Sequence, residues 1–442
     1  MTNGNNAIEG SSEPTAQTSK GSSLAFGVGF YFTLRIVATV FLVRVVGTEP
    51  QLGAEVILIL NFFLLALVCL SVVGSSGVGA NSNLQLANIR WVLIFLGFSG
   101  CSLLWSATIS KPVSAAYWCG TVSDVAIMIL LLRSGLAQLT AHSLMKGFVW
   151  GGCCVAIIAW VMPVEYDMRL GDEDYLNPNT IGNICAFAIF FAQYLMRAKK
   201  GRWGLVIAFL GITLVRSLSK TAIAAFLISE GYLIIRDRVM SRRTKVSLLI
   251  GVILVVLIFW NLIAVYYDFY TSYGNQSETL TGRAGIWAYV VDEVPAKLWI
   301  GHGFDSMWKV VPVFGTFEAR HAENEVLEQL YCYGVIGLVI LCGTYGSLYW
   351  KIRKHSEGSL RIIFFVMLIF VLIRGLAEAE PFDLLLPLWA IVLMTSLMTC
   401  NDAVTKPGFV ITLTSDPDDR AGRRSMPKIG LLDGGSTVDV RS

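Results

Sequence analysis

The chain has 442 residues, 55% of them hydrophobic and only 15% charged, with a mean hydropathy of +0.64. Soluble domains carry about 25% charged residues, so this composition excludes a soluble globular protein built on one large core. The net charge of +3 says little about partners, and nucleic acid is not expected among them.

Residues 1–22 are rich in Gly, Ser, Thr and Asn, with no apolar run beside the start. They read as a disordered cytoplasmic tail and not as a signal peptide. The body, residues 23–400, is a succession of apolar runs. AEVILILNFFLLALVCLSVV from Ala54 and SLLIGVILVVLIFWNLIAV from Ser247 each reach the roughly 20 residues that cross a bilayer as a helix. Counting such runs predicts an all-α, polytopic integral membrane protein with about twelve transmembrane helices. Their centres fall near Ile36, Leu64, Phe95, Ile127, Ile157, Phe187, Phe209, Phe226, Val255, Val339, Val366 and Val392. Residues 401–442 are polar and read as a second disordered cytoplasmic tail. No internal repeat stands out, which disfavours the inverted-repeat transporter folds.

Basic residues cluster in alternate connections: Arg197, Lys199, Lys200 and Arg202; then Arg236, Arg238, Arg242, Arg243 and Lys245; then Lys351, Arg353, Lys354 and Arg361; then Arg420, Arg423 and Arg424. The positive-inside rule places these in the cytoplasm, with both termini. The remaining connections then face outward: residues 164–179, the junction 216–220, the segment 266–323 and residues 377–383. The 266–323 segment lies between the ninth and tenth spans and far exceeds the usual connection of about 4–6 residues. It contains Trp287, Trp299 and Trp308 and is predicted to be folded.

The nine cysteines lie in or beside apolar runs and form no CxxC pair, so they read as packing residues. With four histidines, a metal site is not expected. His142 and His355 fall in cytoplasmic connections and His302, in GHGF, reads as turn chemistry.

The outward connections carry the unusual residues. Lys220 follows Ser219, a helix N-cap candidate, and Arg216 lies just before. Arg283 opens a short amphipathic helix whose Ile286, Trp287, Val290, Val291 and Val294 share a face and which Pro295 ends. A cation in a first helical turn opposes the macrodipole. Two readings stand side by side: an anion site suited to diphosphate, or cations snorkelling to lipid headgroups. Residues 321–328, HAENEVLE, put Glu323 and Glu325 in the first turn of the tenth span, where acids suit the dipole, and Glu328 a turn deeper. Gly334 and Gly337 are spaced for close helix packing. His321, two residues before Glu323, makes a proton-transfer pair with it.

In order along the chain, LLWSATISKPVSAAY (103–117), LNPNTIGN (176–183), SLSKTAIAA (217–225), TGRAGIW (281–287) with WIGHGFDSMW, and ENEVLEQLYCYGVIG (323–337) resemble the O-antigen ligase and polysaccharide polymerase superfamily. The likeness extends over roughly residues 90–400 and includes the exopolysaccharide polymerase branch. It implies inverting glycosyl transfer at the outer face of the bacterial inner membrane, from undecaprenyl diphosphate-linked oligosaccharide, with no cofactor, nucleotide sugar or metal. The family's essential arginines map onto Arg283 and, as a lysine, Lys220. Many ligases carry a histidine where this chain has Glu323, and the acid favours a polymerase. On this resemblance Arg283, Lys220 and Arg216 neutralise the diphosphate, and Glu323 with His321 takes the acceptor proton. Asn324 and Asn179 orient oxygens, and Glu378 and Glu380 bind sugar hydroxyls or are simply solvated. Membrane lipid, chain-length regulators and export proteins are the implied partners. The rivals are a ligase that moves glycan to lipid A core, and a transporter of lipid-linked glycans. The transporter asks for charges deep in spans, for which Arg35, Arg44, Asp124 and Glu230 are the candidates.

Overall fold

A computed structural model describes residues 13–47, 50–74, 85–134, 137–162, 169–171, 176–198, 200–237, 241–261, 264–265, 280–313, 319–356 and 358–405. Among these residues the fold is all helical. The helices are α1 (Glu13–Val40), α2 (Pro50–Gly74), α3 (Arg90–Ser102), α4 (Lys111–Ser134), α5 (Ala137–Val161), α6 (Pro178–Arg197), α7 (Gly204–Arg216), α8 (Lys220–Arg236) and α9 (Arg242–Ile258). They continue as α10 (Leu280–Glu293), α11 (Glu325–Lys354), α12 (Gly358–Arg374) and α13 (Leu388–Thr405). Among the described residues six stretches are long and apolar enough to cross a membrane: Gly21–Val45, Glu55–Val73, Lys111–Arg133, Ala137–Val161, Pro178–Arg197 and Glu325–Lys354. The chain is a multi-pass membrane protein. Shorter apolar helices cover Leu86–Ser102, Gly204–Arg216 and Leu388–Thr399. The tail expected over residues 1–22 gives way to helix at Glu13, and α13 runs past residue 400 to Thr405. Residues 1–12, 266–279 and 406–442 lie outside the described residues.

Small residues let the helices approach. A side chain on Gly29 of α1 would run into the Leu144 carbonyl of α5, and one on Gly147 of α5 into the Phe26 carbonyl of α1; without those Cβ atoms the two backbones touch, as membrane helices often do. Charges inside the bundle are met by neighbouring helices. Arg35 of α1 lies 2.5 Å from Asp124 of α4, and Asn61 of α2 donates to the same carboxylate at 2.7 Å. Gln193 of α6 donates to Glu230 of α8 at 2.8 Å.

Aromatic contacts fix the helix directions. Tyr194 stacks on Phe364 while Phe187 meets Phe370, so α6 and α12 run antiparallel and the start of α6 lies beside the end of α12. Ser219, at the start of α8, donates to Asn179, at the start of α6, at 2.7 Å. The Glu325 N–H of α11 donates to the Gly375 carbonyl just past α12 at 2.9 Å. The starts of α6, α8 and α11 and the end of α12 therefore share one end of the bundle.

Gly334 and Gly337 depart from the expected helix-packing pair. Gly334 has φ +64° and breaks α11. The Leu298 and Trp299 carbonyls accept from Val335 and Ile336, and the Tyr331 and Cys332 carbonyls accept from His302 and Gly303. The Val335 and Ile336 N–H groups and the Tyr331 and Cys332 carbonyls thus find partners outside the helix, as groups freed by a break in an apolar setting must. The 298–304 loop is also held from its other side. Phe304 N–H donates to Ser102 Oγ at 2.9 Å, Ser106 Oγ donates to the Phe304 carbonyl at 2.5 Å, and Ala107 N–H donates to the His302 carbonyl at 2.9 Å. At Gly334 a Cβ would stand 2.5 Å from the Trp299 carbonyl carbon. Left-handed strain costs about 1–3 kcal/mol and such an overlap about 1–3 kcal/mol more. Gly334→Ala should therefore lower the thermal midpoint of detergent-purified protein by several degrees. Gly346→Ala, with nothing within 4 Å of its Cβ, should leave the midpoint unchanged in the same measurement.

Candidate active site

The chemistry-bearing residues gather where α10 meets the entry to α11. Ile286, Val290 and Val294 are buried and lay α10 against the bundle, whereas Val291, expected on that face, is 55% exposed. Trp287 Nε1 donates to the Ala322 carbonyl at 2.9 Å. Arg283, one turn earlier on the same side of the helix, reaches the next residue: its Nη2 lies 3.0 Å from Glu323 Oε2.

Glu323 is not in the first turn of α11, as the sequence suggested. Asn324 is the N-cap and Glu325 and Glu328 occupy the first turn, while Glu323 sits outside with φ +52°. A non-glycine residue in that region is uncommon and costs energy, so its surroundings must hold it there. They do. Asn324 Oδ1 accepts from Val326 and Leu327 N–H, at 3.0 and 3.1 Å, and its Nδ2 donates to the Leu376 carbonyl at 2.9 Å. Buried Glu328 accepts the Ala322 N–H at 2.6 Å, and the Glu323 N–H donates to His321 Nδ1 at 3.3 Å. Asn324 thus gives its side chain to the cap and to the 375–377 backbone. Glu325, also buried, accepts from Tyr345 at 2.5 Å and from the Leu385 N–H at 2.9 Å, which ties the segment after α12 to α11.

His321 Nδ1 also lies 3.8 Å from Glu323 Oε1. One nitrogen therefore faces a backbone donor and a carboxylate. Neutral imidazole accepts the N–H there; imidazolium donates toward the carboxylate. Burial opposes the charged ring, but the carboxylates of Glu323, Glu378, Glu328 and Glu380 outweigh it, so the His321 pKa is raised above its ordinary value.

The segment after α12 closes the site. Arg374, the last residue of α12, is buried, with Nη2 4.0 Å from Glu378 Oε2 and Nη1 3.9 Å from Glu380 Oε1. Further along, Phe382 stacks on Tyr117 at 4.3 Å and packs against Phe304 at 5.8 Å. Buried Asp383 accepts from the Leu384 and Leu388 N–H groups, at 2.7 and 3.2 Å, capping α13. Burial pushes the Asp383 carboxyl up to about 8 against those donors. His321, Glu323 and Glu378 offer ligand atoms within 4.8 Å of one another, a spacing a divalent cation could use. Each carboxylate already faces a guanidinium, Glu323 that of Arg283 and Glu378 that of Arg374. A dication there would have to displace or tolerate both arginines, so the donor set fits a metal poorly.

The other proposed cations lie elsewhere at the same end. Lys220 opens α8 and is exposed, and Arg216 lies over the Trp160 ring at 6.0 Å. Ser219 is the N-cap residue of α8, but its hydroxyl goes to Asn179 and makes no cap bond. Asn179 Oδ1 also accepts from buried Arg169 at 3.3 Å. Hydrogen bonds join Asn179, Ser219 and Arg169, and Arg283 and His321 flank Glu323. Arg169 and Arg374 went unnoticed in the sequence. Both could have been found by the rule that drew attention to Arg216 and Lys220, a cation in or beside a connection that the positive-inside rule assigns outward.

Residues 205–342 match the family model described as O-antigen ligase. The match includes Arg216, Lys220, Arg283, His321, Glu323 and Asn324 and stops short of Arg374, Glu378 and Glu380. No curated protein matches the chain.

Proposed function

We propose that this chain, a membrane protein carrying an O-antigen ligase family domain over residues 205–342, joins undecaprenyl diphosphate-linked oligosaccharide units into a longer polysaccharide. The carrying observation is Glu323, held in a strained turn between Arg283 and His321. A sugar hydroxyl attacks the anomeric carbon of the lipid-linked unit, the bond to the diphosphate breaks, and the configuration inverts. Glu323 takes the hydroxyl proton with His321 beside it. Arg283, Lys220 and Arg216 stabilise charge that grows on the departing diphosphate, a role whose worth increases toward the transition state. Arg283 connects the two halves of the reaction. As its guanidinium turns to the diphosphate it leaves Glu323, and an unpaired carboxylate is the stronger base.

The proposed topology has twelve spans, both termini in the cytoplasm and the site in the periplasm, with residues 266–323 as the long outer loop. Its support is positional. Helices α6, α8 and α11 begin at the site end and finish at Arg197, at Arg236 and at Lys351, Arg353 and Lys354, and positive charge marks the cytoplasmic side. The transporter reading asks for charges lining a path. Arg35, Asp124 and Glu230 are instead tied to neighbouring helices.

A ligase that delivers glycan to lipid A core is the second reading, favoured by the description of the matching family. One experiment separates them. Purified protein in lipid nanodiscs is given the lipid-linked repeat unit alone, and products are sized. Longer lipid-linked glycans are the expected result. Transfer only when lipid A core is added would make the protein a ligase, and no transfer with either would overturn both.

A further inference from the structure

Arg374 is 3% exposed, yet its Nε and Nη1, and Oε2 of the facing Glu378, have no hydrogen-bond partner among the described residues. Buried polar groups are nearly always partnered, and a charge-assisted guanidinium–carboxylate bond closes to about 2.7–2.9 Å. Here both carboxylates stand off, at 4.0 Å for Glu378 and 3.9 Å for Glu380. The gap is fixed from both sides. The Gly375 and Leu376 carbonyls are held by the Glu325 N–H and by Asn324, and the Ala377 N–H donates to the Arg374 carbonyl at 3.0 Å. An oxygen about 2.8 Å from both a nitrogen and a carboxylate oxygen spans a separation of this size with a near-right angle between its two bonds. A hydroxyl suits it, since it accepts from the guanidinium and donates to the carboxylate. There are two such gaps, and they open from the two terminal nitrogens of one planar fork.

We propose that Arg374, with Glu378 and Glu380, is a binding fork for two adjacent hydroxyls of the acceptor sugar. This rests on the reading that the site joins sugars, and it names the group that seats the acceptor. Access is through Glu380, whose side chain is 42% exposed. Glu378 shares a cluster with His321 and Glu323, so a diol seated on the fork brings the rest of the same sugar ring to the base. Guanidinium and carboxylates together favour a neutral polyhydroxyl ligand over an anion, because the two acids would repel a phosphate that the single arginine attracts. The arrangement differs in kind from the cations expected to meet the diphosphate, where Arg283 faces one carboxylate at 3.0 Å and Lys220 is exposed.

The test uses full-length protein in nanodiscs and an oligosaccharide repeat released from the producing cell's own polymer, tagged with a fluorophore at its reducing end. Binding is read by anisotropy and does not need turnover. Wild type should bind the oligosaccharide, and Arg374→Gln should weaken it at least about tenfold, as sites built to hydrogen-bond a hydroxyl respond to loss of a partner. Arg374→Lys should fall between, and inorganic pyrophosphate affinity should change less than about twofold, because the fork spares the diphosphate cations. Should Arg374→Gln fail to accumulate, Glu380→Gln, at the half-exposed rim, should show the same selective loss. No binding by wild type, equal oligosaccharide affinity in the variants, or a parallel fall in pyrophosphate affinity would each overturn the assignment; equal affinities would mean that water alone fills the gaps. Oligosaccharide binding without chain growth sinks the polymerase reading and leaves the fork standing. Chain growth with unchanged variant affinities does the reverse.

Discussion

Glu323→Gln should lower the rate of chain growth by about 10²–10⁴-fold, the range that a positioned general base supplies, while protein accumulates normally. The turn does not depend on the carboxylate. Glu328 still holds the Ala322 N–H, Trp287 still holds the Ala322 carbonyl and Asn324 still caps α11. The pH dependence then assigns the proton. A base that is Glu323 gives an acid limb that vanishes with the carboxylate in Glu323→Gln. A base that is His321 gives a limb above the ordinary imidazole value, because its pKa is raised by the surrounding carboxylates against the effect of burial. Removing the Glu323 charge takes away the first of those carboxylates, so the His321 pKa should fall in the variant. Any residual activity that uses neutral His321 would then persist to lower pH than a wild-type histidine base could manage. Wild-type chain lengths from Glu323→Gln would remove Glu323 from the mechanism altogether.

How much of this site could be read beforehand differs residue by residue. Each expected span centre falls inside a helix because apolar run length and breaker residues are local signals; Asn177 with Pro178 at the start of α6 is a further instance, its Oδ1 accepting the Thr180 N–H at 2.7 Å. The five motif segments converge on one end of the bundle. The backbone of Glu323 was beyond reach. Glutamate carries no preference for positive φ, and it is forced there by His321, Glu328 and Asn324 acting together. Gly-x-x-Gly was misread for a related reason. Two glycines at that spacing look alike in a packed helix and in a broken one, and the choice is made by the carbonyls of Leu298 and Trp299, 37 residues upstream of the Val335 and Ile336 N–H groups they bind. Val291 shows the limit of periodicity in a helix of fourteen residues, where the apolar stripe is wider than the face that is covered.

Arg283→Ala should have the largest effect, because one guanidinium is asked to do two things. Loss of a donor aimed at developing charge costs about 10²–10³ in rate. Loss of the partner of Glu323 adds a second fault. In the resting protein Arg283, 3.0 Å away, keeps that little-exposed carboxylate ionised until the diphosphate draws the guanidinium off; without Arg283 the carboxylate, among Glu378, Glu380 and Glu328, takes up a proton before the acceptor arrives and has no room for the acceptor's. Cells carrying Arg283→Ala should therefore make no long-chain polymer at undiminished protein level, since Trp287 continues to anchor α10 to the Ala322 carbonyl. Arg283→Lys keeps the charge but not the fork and should recover only a small part of the rate. The double variant with Glu323→Gln is the informative one. If Arg283 acts on the diphosphate and on Glu323 alike, the double variant should be no more than about tenfold slower than Arg283→Ala, far less than the product of the two single losses, as expected for residues in one network. Fully multiplicative losses would mean that arginine and glutamate act independently, and that the diphosphate does not draw Arg283 away from the base.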